Sequence, residues 1–271
     1  MAPPYWPRPN RFLEALRGGR PPIVMWMTLE STSVIEMAAA HGLDTVIIDL
    51  EHTTASLRDA HAMIVAAQGA DMSALVRPSS IDSHDVGRLL DAGADGMVFA
   101  QVKNKSDAEA AARTLRYPPE GTRGWAGNHA RHVRWNHTLP GEGEHPLLSA
   151  EFVKAANESI ASVFMIESSE GVENLEDILE VGRPDGVFFG WQDFGVGVGF
   201  DAEAGAAARD RVYNSCRARG IGIALNVSPR GQLEYYPGCF YAAGVDSSVA
   251  SAAIGVRMQE ANSAIADALS L

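Results

Sequence analysis

The sequence predicts an α/β protein of the (β/α)8 TIM-barrel class. Three observations carry this: eight short runs of near-continuous apolarity, amphipathic stretches between them, and no linker interrupting the alternation over 271 residues. Runs of that kind suit parallel strands buried on both faces, and strands that alternate with helices build barrels or doubly wound sheets. An open doubly wound sheet is the competing architecture, and the count of eight favours the closed one.

In chain order, the predicted strands are Ile23–Leu29, Thr45–Glu51, Ser73–Pro78, Met97–Val102, Ser162–Ser168, Gly186–Asp193, Ile221–Val227 and Phe240–Asp246. Ser33 with Glu36 reads as a capping box before Met37–His41, with Gly42 as the stop. Ser56 with Asp59, and Ser106 with Glu109, open two further helices. The stretch Asp82–Ala92 closes at Gly93, and Asn174 can cap Leu175–Val181. Late helices cover Ala202–Arg219 and Ser247–Leu269. The expectation is one domain, residues 1–271, with a proline-rich N-terminal arm (MAPPYWPRPN) lying extended over an apolar surface. One irregular region, Tyr117 to Pro146, is rich in Gly, Pro, His and Arg and suits packing between subunits.

Composition narrows the function. Hydrophobic residues are 46 % and charged residues 21 %, which is ordinary for a folded globular chain. The net charge of −12 argues against nucleic acid and anionic membrane as partners, because both need a basic patch. The two cysteines, Cys216 and Cys239, have no metal-ligand spacing and make no disulfide framework, which fits a reducing cytoplasm. The N-terminus lacks the apolar core of a signal peptide, and no run is long enough for a membrane span.

In such a barrel the chemistry sits at the carboxyl ends of the strands. There the second strand carries Asp49, Glu51 and His52, the third Arg77, the fifth Glu167 and the sixth Asp193. Glu167 and Asp193 could share one hard cation, although each could instead cap the helix after its strand. A carboxylate such as Asp49 would fix the tautomer of His52 and raise its basicity; a solvated loop histidine is the alternative. Arg77 matches a carboxylate or an enolate oxygen, or forms an internal salt bridge with Asp49, Glu51 or Asp91.

Other signals are weaker. Gly195, Gly197 and Gly199 do not form a dinucleotide fingerprint and read as a loop that approaches the site closely. His129, His132, His137 and His145 lack a regular ligand spacing. The only lysines are Lys103, Lys105 and Lys154; Lys103 lies in a polar run and reads as exposed, so a Schiff-base mechanism is the less economical one.

The segments GLDTVIIDLEH (42–52), VRPS (76–79), LLDAGADG (89–96), RYPPEGTRG (116–124), MIES with GVENL (165–175), DGVFFGWQDFGVGVG (185–199) and AAGVDSS (242–248) together resemble the HpcH/HpaI aldolase family of metal-dependent class II pyruvate aldolases. The resemblance implies a phosphoenolpyruvate/pyruvate-type barrel, assembled as a homohexamer with the last helix exchanged between neighbours. It implies Mg2+, Mn2+ or Co2+ on Glu167 and Asp193, His52 as base oriented by Asp49, and Arg77 stabilising the enolate. Backbone amides near Gln192 and Asp193 would hold the pyruvate carboxylate, Trp26 and Leu225 would shape the pocket, and Asp91 would approach a neighbouring subunit's site.

The implied reaction is reversible cleavage of a 4-hydroxy-2-oxo acid to pyruvate, or a pyruvate analogue, and an aldehyde. The alternatives are an oxo-acid decarboxylase or CoA-thioester lyase using the same enolate site, and a non-catalytic oxo-acid-binding barrel. The sequence departs from the family pattern at Trp191, where G-P-x-D-L-S is usual after the sixth strand, and at Met165, where many members have Gln. Both departures predict a less polar acceptor site.

Overall fold

The computed structural model describes residues 8–81, 84–126, 130–131, 150–226 and 238–269. Eight strands, each hydrogen-bonded in parallel to the next, close into a barrel: β1 (Ile23–Met27), β2 (Thr45–Asp49), β3 (Ser73–Arg77), β4 (Gly96–Phe99), β5 (Ala161–Ile166), β6 (Gly186–Phe189), β7 (Gly222–Asn226) and β8 (Cys239–Val245). The helices around them, among the described residues, are α1 (Arg11–Arg17), α2 (Thr32–Ala40), α3 (Leu57–Gly69), α4 (Asp85–Asp91), α5 (Lys105–Thr114), α6 (Ala150–Ser159), α7 (Ser169–Glu173), α8 (Leu175–Gly182), α9 (Trp191–Gly197), α10 (Ala202–Arg219) and α11 (Asp246–Leu269).

Side chains alternate across each strand, so the barrel separates two cores. The inner one holds Val24, Ile47, Leu75, Val98, Val163, Met165, Phe188, Ala224 and Phe240. The outer one places Val46, Ile48, Val76, Phe99, Phe164 and Val187 against the helices. Helix α1 plugs the amino-terminal end of the barrel with Phe12 and Leu13. Edge-to-face aromatic contacts then climb the interior, Phe12 to Phe240 at 5.3 Å and Phe240 to Phe188 at 5.2 Å, before Phe188 meets Trp26 in a tilted contact at 5.4 Å. Each fully buried side chain of this size stabilises the fold by roughly 1.5–3 kcal/mol.

The structure corrects several expected boundaries. Helix α2 is capped by Ser31, whose hydroxyl accepts from the Val34 N–H; Ser33 already lies inside the helix. Likewise Asn104, not Ser106, caps α5. The box of Ser56 and Asp59 forms in full. Asn174 precedes α8, but its side-chain amide donates to the Lys103 carbonyl and makes no cap bond. Strand β6 stops at Phe189, and the chain re-forms as α9 one residue later, so Gly195 and Gly197 are helical and not loop. Lys103 is half-buried, where exposure was expected. Most of the proline-rich arm, and most of the Tyr117–Pro146 region with His129, His132, His137 and His145, lie outside the described residues.

Beyond the β1–β8 backbone ladder, Asp246 ties the end of β8 to the segment after β1. Its buried carboxylate accepts from the N–H and hydroxyl of Thr28, the N–H of Leu29 and the N–H of Ser247. At the opposite end, Asp95 is a buried hub: it accepts from the Ala74 N–H at 2.8 Å and the Gln68 amide at 3.1 Å, with Arg8 at 3.6 Å. Burial pushes its carboxyl up to about 6, against the pull of those donors.

Because the folded state raises this pKa, the stability it confers is full below the unfolded value of 3.8 and is lost as pH rises through about 6. The difference is on the order of 3 kcal/mol. Urea denaturation of Asp95→Asn should therefore show a smaller loss of stability between acid and neutral pH than the parent; parallel profiles would refute the assignment.

Candidate active site

The second strand delivers the centre of the site. Asp49 is the last residue of β2 and is almost fully buried; Arg77 is the last residue of β3 and its registered neighbour. They form a bidentate pair, with Arg77 Nε donating to Oδ1 at 2.8 Å and Nη2 donating to Oδ2 at 2.6 Å. The backbone N–H groups of Glu51 and His52 also donate to Oδ1, at 2.9 and 3.4 Å. Burial by itself would raise the Asp49 carboxyl, but the Arg77 fork, its charge and the two amides hold it below the usual carboxylate range. The Arg77 guanidinium also lies over the Trp26 ring at 4.6 Å, and its Nη1 faces the Met165 sulfur at 3.9 Å and Glu51 Oε2 at 3.1 Å.

This arrangement corrects the expected pairing of Asp49 with the His52 ring. Both Asp49 oxygens are engaged by Arg77, and a bidentate buried ion pair outcompetes an exposed imidazole. Asp49 meets His52 only at its backbone N–H. The ring stands at the mouth, largely exposed, and its Nε2 lies 3.8 Å from Glu51 Oε2.

Glu167 follows β5 directly and is buried, with Oε1 accepting from the Gln101 backbone N–H at 2.7 Å. Gln101 sits just beyond β4 at φ 55°, a left-handed conformation that side chains rarely adopt and that aims this N–H at the acid. Burial raises the Glu167 carboxyl against that hydrogen bond; Asp193 and Glu51 add like-charge repulsion, and Arg77 opposes them. Gly190 leaves room for Glu167: a Cβ there would stand 2.4 Å from the Glu167 Cβ and 2.6 Å from Oε2.

Among the described residues no three His, Cys, Asp or Glu side chains cluster as a metal site, so Glu167, with one oxygen held by Gln101, and Asp193 fit at most a divalent ion completed by substrate oxygens and water. Asp193 and Gln192 lie exposed in the first turn of α9, whose leading N–H groups have no partner within the helix. Gly190, at the cap position, offers no side chain to them.

Leu225 and Trp191 lie elsewhere, and Asp91, expected at a neighbouring subunit's site, is remote from this one. Leu225 packs in the outer core among the helices; its neighbour Ala224 faces the interior, so the alternation puts Leu225 on the wrong side of β7 for a pocket wall. Asp91 ends α4, at the far end of the barrel from this site, and accepts from Arg123 at 3.0 Å. Trp191 packs outward on Phe189, against Gly205 of α10 and beside Arg209, so it does not make the acceptor site less polar. Met165 does stay inside, beneath Arg77. The sequence pattern gives no role to the Gln101 amide, for which a polar residue after the fourth apolar run was the available signal; the expected alternative of a salt bridge from Arg77 forms, with both Asp49 and Glu51 and not with Asp91.

A closed parallel barrel that gathers an arginine, a histidine and several acids at the carboxyl ends of its strands is a barrel enzyme. The profile of the HpcH/HpaI aldolase/citrate lyase family matches residues 22–253, and the chain belongs to that family. It is 32 % identical over 248 residues to the 4-hydroxy-2-oxo-heptane-1,7-dioate aldolase of Shigella sonnei, covering 89 % of this chain and 90 % of that one. Among solved structures, an HpcH/HpaI family protein from Burkholderia cenocepacia superposes with TM-score 0.80 at 26 % identity, covering 93 % of this chain and 99 % of the other. The HpcH/HpaI aldolase from Desulfitobacterium hafniense does so with TM-score 0.77 at 25 % identity, covering 91 % and 95 %.

Replacing Gly190 with Ala should push Glu167 off its position. Calorimetric Mn2+ affinity should fall ~10–100-fold with the circular dichroism unchanged; an unaltered affinity would separate Glu167 from metal binding.

Proposed function

We propose that this chain is a class II aldolase, an aldehyde-lyase that reversibly cleaves a 4-hydroxy-2-oxo acid to pyruvate and an aldehyde. 4-Hydroxy-2-oxo-heptane-1,7-dioate, which names the relatives, is the first substrate to try. The observation that carries the proposal is the pairing of Arg77 with Asp49 and Glu51 at the carboxyl ends of the strands, together with the buried Glu167 carboxylate held by the Gln101 N–H.

A divalent cation (Mg2+, Mn2+ or Co2+) held by Glu167 and Asp193 would supply Lewis-acid polarisation of the substrate carbonyl. The first-turn amides of α9, near Gln192 and Asp193, are placed to receive the C1 carboxylate. Nε and Nη2 of Arg77 are committed to Asp49 and Nη1 faces Glu51, so the second N–H of Nη1 would be the one to turn toward the oxygen on C2 as negative charge grows there. Trp26 covers one face of that guanidinium, and the Met165 sulfur lies beside Nη1. His52, at the mouth, takes the proton of the C4 hydroxyl as the C3–C4 bond breaks, and the bond's electrons pass toward C2.

The same reading extends to assembly and location. Helix α11 leaves Ile254, Met258 and Ile265 exposed on one side and Val249 and Val256 on the other, consistent with a helix packed between neighbours in a homo-oligomer, a hexamer in our reading. Asp91 would then serve a neighbour's site. Cys216 and Cys239 are free and buried, in keeping with a cytoplasmic protein. Among the described residues, no helix is long and apolar enough to cross a membrane.

Pyruvate in D2O with Mg2+ or Mn2+ should exchange its methyl protons, followed by NMR, and the exchange should stop with EDTA or in Glu167→Ala. An inert parent protein would favour a binding role. His52→Ala should slow aldol cleavage by ~10²–10⁴-fold, and an undiminished rate would remove it from the mechanism. Light scattering should give a multiple of the 28.9 kDa chain mass; a monomer would refute the assembly.

A further inference from the structure

We propose that Glu51 is the positioning residue of His52 and couples it to Arg77, a role that rests on the aldolase reading above. Glu51 Oε2 is buried and makes no hydrogen bond of good geometry among the described residues. Its ion pair with Arg77 leaves acceptor capacity for a further donor. Two groups face it: Arg77 Nη1 at 3.1 Å and His52 Nε2 at 3.8 Å. Asp49, the other acid nearby, has both oxygens taken by Arg77.

The 3.8 Å separation exceeds a hydrogen bond, but catalytic hydrogen bonds are often long before the ligand is bound. Glu51 is half-buried and braced by Arg77, whereas the His52 ring is largely exposed. The ring is therefore the partner that moves. Closing the contact puts the ring proton on Nε2, toward the carboxylate, and leaves Nδ1 as the atom that accepts the C4 hydroxyl proton. Because the same oxygen faces Arg77 Nη1, the base and the oxyanion donor are held in one geometry.

The test compares two reactions at one site. Cleavage of 4-hydroxy-2-oxo-heptane-1,7-dioate needs a proton removed from a hydroxyl. Decarboxylation of oxaloacetate releases CO2 and passes the same bond's electrons toward C2, with no hydroxyl proton to remove. In Glu51→Gln the ratio of cleavage to decarboxylation kcat should fall at least tenfold. Glu51→Asp, which keeps the charge, should recover part of that loss.

A spectroscopic reading accompanies the rates. In protein labelled with 15N-histidine, the His52 ring, identified by its absence in His52→Ala, should carry its neutral-form proton on Nε2. Glu51→Gln should lose that bias. Equal losses in the two reactions, or no loss in either, overturn the role of Glu51, as does an unchanged His52 tautomer. A parent protein inert toward both compounds overturns the aldolase reading itself, and the two failures are thereby told apart.

Discussion

The pairing of Arg77 with Asp49 organises everything else at the mouth of the barrel. A guanidinium and a carboxylate taken from water each lose several kcal/mol of hydration, and only close geometry with further hydrogen bonds restores it. Here the geometry is the parallel register of β2 and β3, which sets Asp49 beside Arg77. The remaining acceptor capacity of Asp49 is filled by the amides of Glu51 and His52, so the loop that carries His52 is folded around the ion pair. The guanidinium rests on Trp26, Trp26 on Phe188, Phe188 on Phe240 and Phe240 on Phe12. A single column of rings thus runs from the plug in the floor to the cation at the top.

Much of this was legible in the sequence because period-two burial and strand-end polarity are local signals. The apolar runs located the eight strands, and acids where apolar residues would pack better located Asp49, Glu167 and Asp193. What was not legible depends on one-residue phase or on distant partners. Leu225 and Ala224 are adjacent and both apolar, and only the register of β7 decides which faces the lumen. Trp191 looked like a pocket residue because it neighbours Asp193, yet Gly205, far along the chain, offers it a seat outside the barrel. Which acid serves His52 could not be read from spacing, since Asp49 and Glu51 are both near it and the choice is made by Arg77.

The site also carries costs that a purely structural centre would avoid. Glu167 is buried among like charges, and Gln101 is held at positive φ to supply its one backbone donor. A conformation of that kind costs about 1–3 kcal/mol. A glycine at position 190 gives up side-chain packing so that the acid has room. Under the proposed function these features share one explanation, a cation that the acids would hold from one side while leaving the other side to ligand.

The two ends of the barrel make the same point by contrast. Asp49 and Asp95 are both buried aspartates that accept backbone N–H groups, and both have an arginine nearby. Their carboxyls nevertheless shift in opposite directions. At Asp49 the guanidinium closes to 2.6 Å and donates twice, and the charge is secured. At Asp95 the nearest arginine nitrogen stays at 3.6 Å, and desolvation prevails. Burial therefore does not decide whether an acid in this protein is ready to act as an anion; the distance to its cation does. By that criterion the mouth, where Arg77 is also shared with Glu51, is where the chain keeps fixed negative charge available for chemistry.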